Sequence, residues 1–191
     1  AVPMEMVRDQ MEAVLTDIGA DAIKIGMLFS PFLIRTVANG LRTWARGLPV
    51  VLDPVMVAQS GDKLLKEEAV AALKEELIPL AHLITPNLPE AEVLLGRAIT
   101  TEVEIEVAAR ALASLGCANV LIKGGHMEGA TSNDLLYLGA EQQLVHFPGE
   151  RILTRNNHGT GCTLSSAITA GIAKGLDLTE AVGQGKVYVS A

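Results

Sequence analysis

Apolar residues recur along this chain in two rhythms that alternate. Met4, Val7, Met11, Val14 and Leu15 fall at the three-to-four spacing of one helix face, and Gly19 ends the run. Residues 22–28 (AIKIGML) then read as a strand, and 31–46 as a helix capped by Ser30 with Pro31 in its first turn. Residues 49–53 (PVVLD) are apolar on both faces, as a buried parallel strand should be. An amphipathic helix over 66–77, a strand at 82–85 stopped by Pro86, and a short helix over 88–95 follow. A longer helix over 102–115 closes at Gly116, before another buried strand at 119–123 (NVLIK).

Beyond that strand the rhythm changes. Residues 134–138 (DLLYL) and 143–147 (QLVHF) read as a hairpin turning near Gly139 and Ala140, with 151–154 continuing the meander. Two helices, over 160–173 and from 179 to the end, complete the pattern, and no repeat of solenoid length interrupts it. Strand–helix alternation with one late hairpin predicts an α/β layered fold, its sheet mostly parallel with helices on both faces. No linker-like shift in composition divides residues 1–191, so a single domain is expected.

Composition narrows the function classes. The 191 residues carry 15 Lys+Arg against 22 Asp+Glu, a net charge of −7, with 49% hydrophobic and only 3% aromatic residues. The apolar fraction excludes a disordered chain. The acidic balance, with no basic run and few rings to stack bases, argues against a nucleic-acid partner. No apolar stretch approaches a membrane span, and no basic-then-apolar leader pattern opens the chain, which predicts a cytoplasmic protein. Two distant cysteines supply neither a disulfide framework nor a zinc site.

Ligands of open parallel sheets bind beyond the carboxyl ends of the strands, and the special residues of this chain gather there. The strongest segment is 157–166 (NHGTGCTLSS), where Gly159 and Gly161 bracket Thr160 as a loop becomes a small-residue helix. Glycines let amides approach an anion, and the helix adds unpaired N–H groups and the positive end of its dipole. Cys162 lies in that field, which predicts a lowered thiol pKa and a role as proton acceptor or nucleophile. Without a following Lys-Ser/Thr or a third glycine the segment is neither a Walker loop nor a dinucleotide fingerprint, and an ordinary capped turn explains it equally well.

Asn87 and Glu90, three apart in 85–90 (TPNLPE), suit Mg²⁺ held through water beside phosphates, but the spacing is also that of a capping box, the reading local physics favours. Asp53, at a strand end before Pro54, is a further metal candidate or a turn former. Lys123 before Gly124-Gly125 offers a cation for phosphate or is a plain strand-end lysine. His82, His126 and His146 show no ligand spacing, and Cys117 reads as core.

Five segments in order, IKIGM (23–27), LDPVMVAQSGD (52–62), ITPNLPEAEVLLG (84–96), GCANVLIKGGH (116–126) and NHGTGCTLSSAI (157–168), resemble the hydroxymethylpyrimidine/phosphomethylpyrimidine kinases of thiamin biosynthesis, members of the ribokinase-like superfamily. The closing GQGKVYVSA (183–191) is similar to that family's late helix. The resemblance implies a three-layer ribokinase-like fold and phosphorylation by ATP with Mg²⁺ of 4-amino-5-hydroxymethyl-2-methylpyrimidine, then of its monophosphate. It implies that Gly159, Thr160, Gly161 and Cys162 surround the transferred phosphate, with Cys162 where most ribokinase relatives carry an aspartate base. Asn87, Glu90, Lys123, Thr154 and Lys186 are then expected at the nucleotide and its metal, Asp53 with Glu90 at Mg²⁺, and Met27 and Val55 at the pyrimidine. The implied partner is a small pyrimidine, and frequent dimers in the family allow a homodimer.

The family pattern also includes an opening strand with a glycine-rich segment of the type GTDxSGGAG and a short continuation past the last helix. Neither occurs in residues 1–191, so the expectation is most of a longer kinase, lacking its first strands. Pyridoxal kinase activity, a non-catalytic nucleotide-binding module, and a reading with Cys162 as an acyl-transfer nucleophile are the competing expectations.

Overall fold

A computed structural model describes residues 2–56, 65–124, 132–150 and 159–191. Among these residues six strands form one sheet in sequence order: β1 (Ile23–Ile25), β2 (Val50–Leu52), β3 (Leu83–Ile84), β4 (Asn119–Ile122), β5 (Asp134–Leu138) and β6 (Gln143–Phe147). β1 to β4 are parallel, and β5 and β6 form an antiparallel hairpin on the edge of β4. The helices are α1 (Met4–Ala13), α2 (Pro31–Trp44), α3 (Glu67–Ala72), α4 (Leu88–Leu95), α5 (Glu102–Ala113), α6 (Thr160–Ala173) and α7 (Leu178–Ser190).

The strand order dictates the layering. Parallel strands added in sequence by right-handed crossovers put every connecting helix on one face. Val50, Leu52, Ile84, Val120 and Ile122 accordingly pack with residues of α2 to α5. The alternate strand residues Val51, Leu83, Leu121 and Leu136 turn to the other face and pack against Leu164 and Ile168 of α6 and Ala181 and Val182 of α7. Fully apolar strands therefore lie between two helical layers, as their two-sided apolar pattern requires. After β6 the chain returns across the sheet, bringing α6 against β1 and β2.

Local chemistry sets the helix ends. Ser30 Oγ accepts from Leu33 N with Pro31 opening α2, and Thr101 with Glu104 forms a capping box on α5. The expected 66–77 helix is two pieces, α3 followed by a wider π-type turn over Leu73–Leu77. A similar turn over Val14–Ile18 follows α1, and Gly19 stops it with φ +80°. Residues 151–154 lie outside the described residues. Among those described, no helix is long and apolar enough to cross a membrane.

Candidate active site

The carboxyl ends of the parallel strands converge below the start of α6. Asp53 follows β2, Thr85 to Asn87 follow β3, and Lys123 follows β4, with Asn87 and Lys123 joined by a parallel bridge. Asp53 is 1% exposed and Glu90 2%. Lys123 Nζ donates to Asp53 Oδ1 at 2.9 Å and lies 3.9 Å from Glu90 Oε2. Thr85 Oγ1 donates to the same Asp53 oxygen at 3.2 Å. Ser165 Oγ, on α6, lies 3.4 Å from Asp53 Oδ2 and 3.0 Å from the Cys162 carbonyl oxygen.

Asn87 and Glu90 form the capping box that their spacing predicts. Asn87 Oδ1 accepts from Glu90 N, and Glu90 Oε2 accepts from Asn87 N, each at 2.8 Å. The two readings of this pair are thus compatible, because the box holds the Glu90 carboxyl within reach of Lys123. Burial pushes that carboxyl up to about 7, against the opposing pull of Lys123 and backbone hydrogen bonds from Asn87 and Met56. Asp53 goes the other way. Burial would raise it, but the Lys123 ammonium, hydrogen bonds from Lys123 and Cys162, and the charge of Lys24 together hold it below the usual carboxylate range.

The first turn of α6 overlies this group. Gly159 adopts φ +84°, a conformation that leaves glycine unstrained, and among the described residues no side chain caps the helix. A Cβ on Gly161 would stand 3.1 Å from Lys123 Nζ, so the missing side chain is what lets the ammonium approach the turn. Cys162 is exposed. The expectation of a lowered thiol pKa is corrected: burial and the Asp53 carboxylate raise it, outweighing Lys24 and Lys123. The sulfur therefore stands as a protonated thiol rather than a thiolate at neutral pH.

The structure thus brings together Asp53, Asn87, Glu90, Lys123, Gly161 and Cys162. Met27, after β1, is 47% exposed, and Val55, after Asp53, is half-buried. Thr154 lies outside the described residues, as do His126 and His158. Lys186 of α7 stands in a second cluster, its ammonium donating to Asp134 Oδ2 (2.7 Å) and to the carbonyls of Ser132 (2.7 Å) and Phe147 (2.8 Å). Asp134 Oδ1 in turn accepts from Gly124 N at 2.9 Å, linking that cluster to the turn after Lys123. Cys117 is buried core, its thiol pushed up to about 12 by burial.

Thr85, Ser165 and Lys24 were not singled out by sequence reasoning. Lys24 carried a signal, as the lone charge in AIKIGML. Ser165 carried another, lying four residues before Thr169, with both hydroxyls buried on α6. A cavity of about 620 Å³ runs from Cys162 along Ala167 and Gly171 of α6 to Gln184 and Tyr188 of α7, meeting the charged group only at Cys162.

Two buried carboxylates and an amide oxygen are hard donors of the kind Mg²⁺ takes. Glu90, buried and only partly compensated by Lys123, would be held charged by such a cation. Among the described residues no cluster of three or more His, Cys, Asp or Glu could hold a metal alone. Phosphate oxygens and water would therefore complete the coordination of a bound ion.

The sequence matches the family described as phosphomethylpyrimidine kinase over residues 1–191. It is 51% identical over 191 residues to a hydroxymethylpyrimidine/phosphomethylpyrimidine kinase of Rhizobium meliloti, covering 100% of this chain and 70% of that protein. It is 48% identical over 190 residues to the thiamine biosynthesis bifunctional protein ThiED of Geobacter sulfurreducens, covering 100% of this chain and 38% of that one. The fold matches a crystal structure of an ADP complex of Bacillus subtilis pyridoxal kinase with a TM-score of 0.91 at 36% identity, covering 100% of this chain and 71% of that one.

Proposed function

The chain belongs to the phosphomethylpyrimidine kinase family, and on that premise we propose a two-step reaction. The γ-phosphoryl group of ATP passes to the hydroxymethyl oxygen of 4-amino-5-hydroxymethyl-2-methylpyrimidine, then a second passes to the phosphate of that product, giving the diphosphate of thiamin biosynthesis. The observation that carries this reading is the convergence of Asp53, Glu90, Lys123 and Gly161 at the strand ends below the first turn of α6. A phosphoryl group in flight spreads negative charge over its oxygens and asks little covalent chemistry of the protein, so fixed cations and N–H groups suffice.

We assign the turn Gly159, Thr160, Gly161 to the transferred phosphoryl group, with Lys123 beside it. Gly161 keeps the turn open to that ammonium, and Asp53 holds the ammonium in place. Asp53, Asn87 and Glu90 would hold Mg²⁺, which when bound neutralises phosphate charge. Met27 and Val55 would border the pyrimidine, and Thr154 the nucleotide. Cys162 is assigned as the proton acceptor of the first step in its thiolate form, where the hydroxymethyl oxygen loses its proton to sulfur as the new O–P bond forms. Because the thiol is raised, that form is the minor one at neutral pH, and the alcohol reaction is expected to quicken as pH rises. The second acceptor oxygen belongs to a phosphate and brings no hydroxyl proton, so that step needs no base. Lys186, through Asp134 and Gly124, frames the nucleotide side of the site.

Residues 1–191 are taken as one domain, since a single sheet carries both apolar layers. Two free thiols and a reaction that consumes ATP fit the cytoplasm, and a homodimer follows the habit of the family. The likeness to a pyridoxal kinase favours one second reading, transfer to the hydroxymethyl group of pyridoxal. Side-by-side turnover of the two alcohols separates them: the proposal expects a kcat/KM at least tenfold higher for the pyrimidine, and the reverse order overturns it.

A further inference from the structure

Lys24 is the middle residue of β1 and pairs with Val51 of β2. Directly paired residues of parallel strands point to the same face, and Val51 faces α6, so Lys24 does too. Its neighbours Ile23 and Ile25 turn to the opposite apolar layer. The side chain runs toward the carboxyl end of its strand, with Nζ 2.9 Å from the point where a Cβ on Gly26 would stand. Gly26 thus leaves the opening through which a half-buried ammonium reaches the strand ends.

Lys24 differs from the other cations there. Lys123 is held by Asp53, and Lys186 by three oxygens. Among the described residues, no hydrogen bond or ion pair closes on Lys24. Its charge is nevertheless felt at both Asp53 and Cys162. Lys24 approaches them from β1 and Lys123 from β4, on opposite sides of β2 in the sheet. β1 is also the strand that leads into Met27, the expected pyrimidine contact.

The two acceptors differ by the charge of one phosphate. The alcohol is neutral, and Lys123 with the α6 turn meets the charge of the donor. The monophosphate adds a charge of its own on the acceptor side and needs a further cation. We propose that Lys24 binds the phosphate of the monophosphate acceptor and so fits the site for the second phosphorylation. In that step a non-bridging oxygen of the acceptor phosphate forms a bond to the γ-phosphorus, the bond from that phosphorus to the β,γ-bridging oxygen breaks, and ADP leaves with the electron pair. The inference rests on the kinase reading above.

The test compares kcat/KM for the alcohol and for its monophosphate in wild type, Lys24→Met, Lys24→Gln and Lys24→Arg. Loss of a charge-assisted contact to phosphate is expected to raise the KM for the monophosphate about 10- to 100-fold. The ratio of the two specificity constants should shift at least tenfold against the monophosphate, which accumulates, and Lys24→Arg should restore most of the ratio. Equal losses on both acceptors, or no loss on either, overturn the proposal. Thermal stabilisation of the folded protein by the monophosphate alone gives a second readout, expected in wild type and Lys24→Arg and weakened in Lys24→Gln; equal stabilisation of all three overturns it as well. A wild type that phosphorylates neither compound contradicts the kinase reading instead, which the Lys24 comparison keeps separate.

Discussion

Lys123 Nζ lies 2.9 Å from Asp53 Oδ1, so the end of β4 is tied by charge to the end of β2 across the intervening β3. Asp53 is 1% exposed, and removing the cation takes away the one ion pair this buried carboxylate makes among the described residues. Lys123→Met is expected to cost about 3–5 kcal/mol of stability and most of the turnover. In the double variant Lys123→Met/Asp53→Asn the stability loss should be well below the sum of the singles, as a double-mutant cycle in denaturant would measure.

Gly161 controls access to that ammonium. Alanine there would put a methyl group 3.1 Å from Lys123 Nζ, in the space the phosphoryl group is assigned. Because residue 161 has helical geometry and stands in a first turn, alanine should leave the melting temperature nearly unchanged. Activity is expected to fall at least tenfold, and circular dichroism melts beside steady-state rates check the contrast.

The raised Cys162 thiol makes a pH prediction. With its pKa above the ordinary thiol value, Cys162 stays protonated at neutral pH and should alkylate there more slowly than a free cysteine, the rate still climbing with pH where that of a free cysteine has levelled off. If Cys162 is the proton acceptor of the first step, Cys162→Ala lowers the alcohol reaction far more than the monophosphate reaction. Cys162→Asp, a carboxylate base, retains part of the alcohol reaction, which a covalent role for sulfur would forbid.

Glu90 and Asp53 pull stability in opposite directions with pH. The Glu90 carboxyl is raised in the fold to about 7 from 4.5, so the unfolded chain gives up this proton first as pH rises. Its contribution therefore falls between pH 4.5 and 7, by roughly 3 kcal/mol. Asp53 is lowered in the fold, so its contribution is present above the unfolded carboxylate pKa and is lost as pH falls through the folded value. Glu90→Gln should flatten the metal-free stability profile between pH 4.5 and 7 in urea titrations, leaving the acid limb to Asp53.

Much of the architecture was legible because local signals agreed. Pro31 behind Ser30, the spacing of Asn87 and Glu90, and the paired runs around Gly139 fixed α2, α4 and the β5–β6 hairpin close to their observed bounds. The helix over 66–77 was less accurate, because apolar spacing does not distinguish an α-turn from the wider turn at Leu73–Leu77. At the site, strand-end position singled out Asp53 as a candidate and the ordered motifs singled out Glu90, Lys123 and Cys162, but neither gave the sign of the thiol shift. That sign depends first on burial and then on Asp53, which is far away in sequence, and both act on Cys162 only when α6 folds back over β2. Ser165 and Lys24 were missed for the same reason. A buried hydroxyl or a lysine in an apolar strand has no local partner to announce its role.

The central claim is two successive phosphoryl transfers to one pyrimidine, and ³¹P NMR of the purified protein with ATP, Mg²⁺ and 4-amino-5-hydroxymethyl-2-methylpyrimidine tests it directly. A phosphomonoester signal that appears first and then gives way to the paired signals of a diphosphate, with two ADP released per pyrimidine, is the predicted result. ATP left intact by folded protein, or a monoester that never advances, would contradict it.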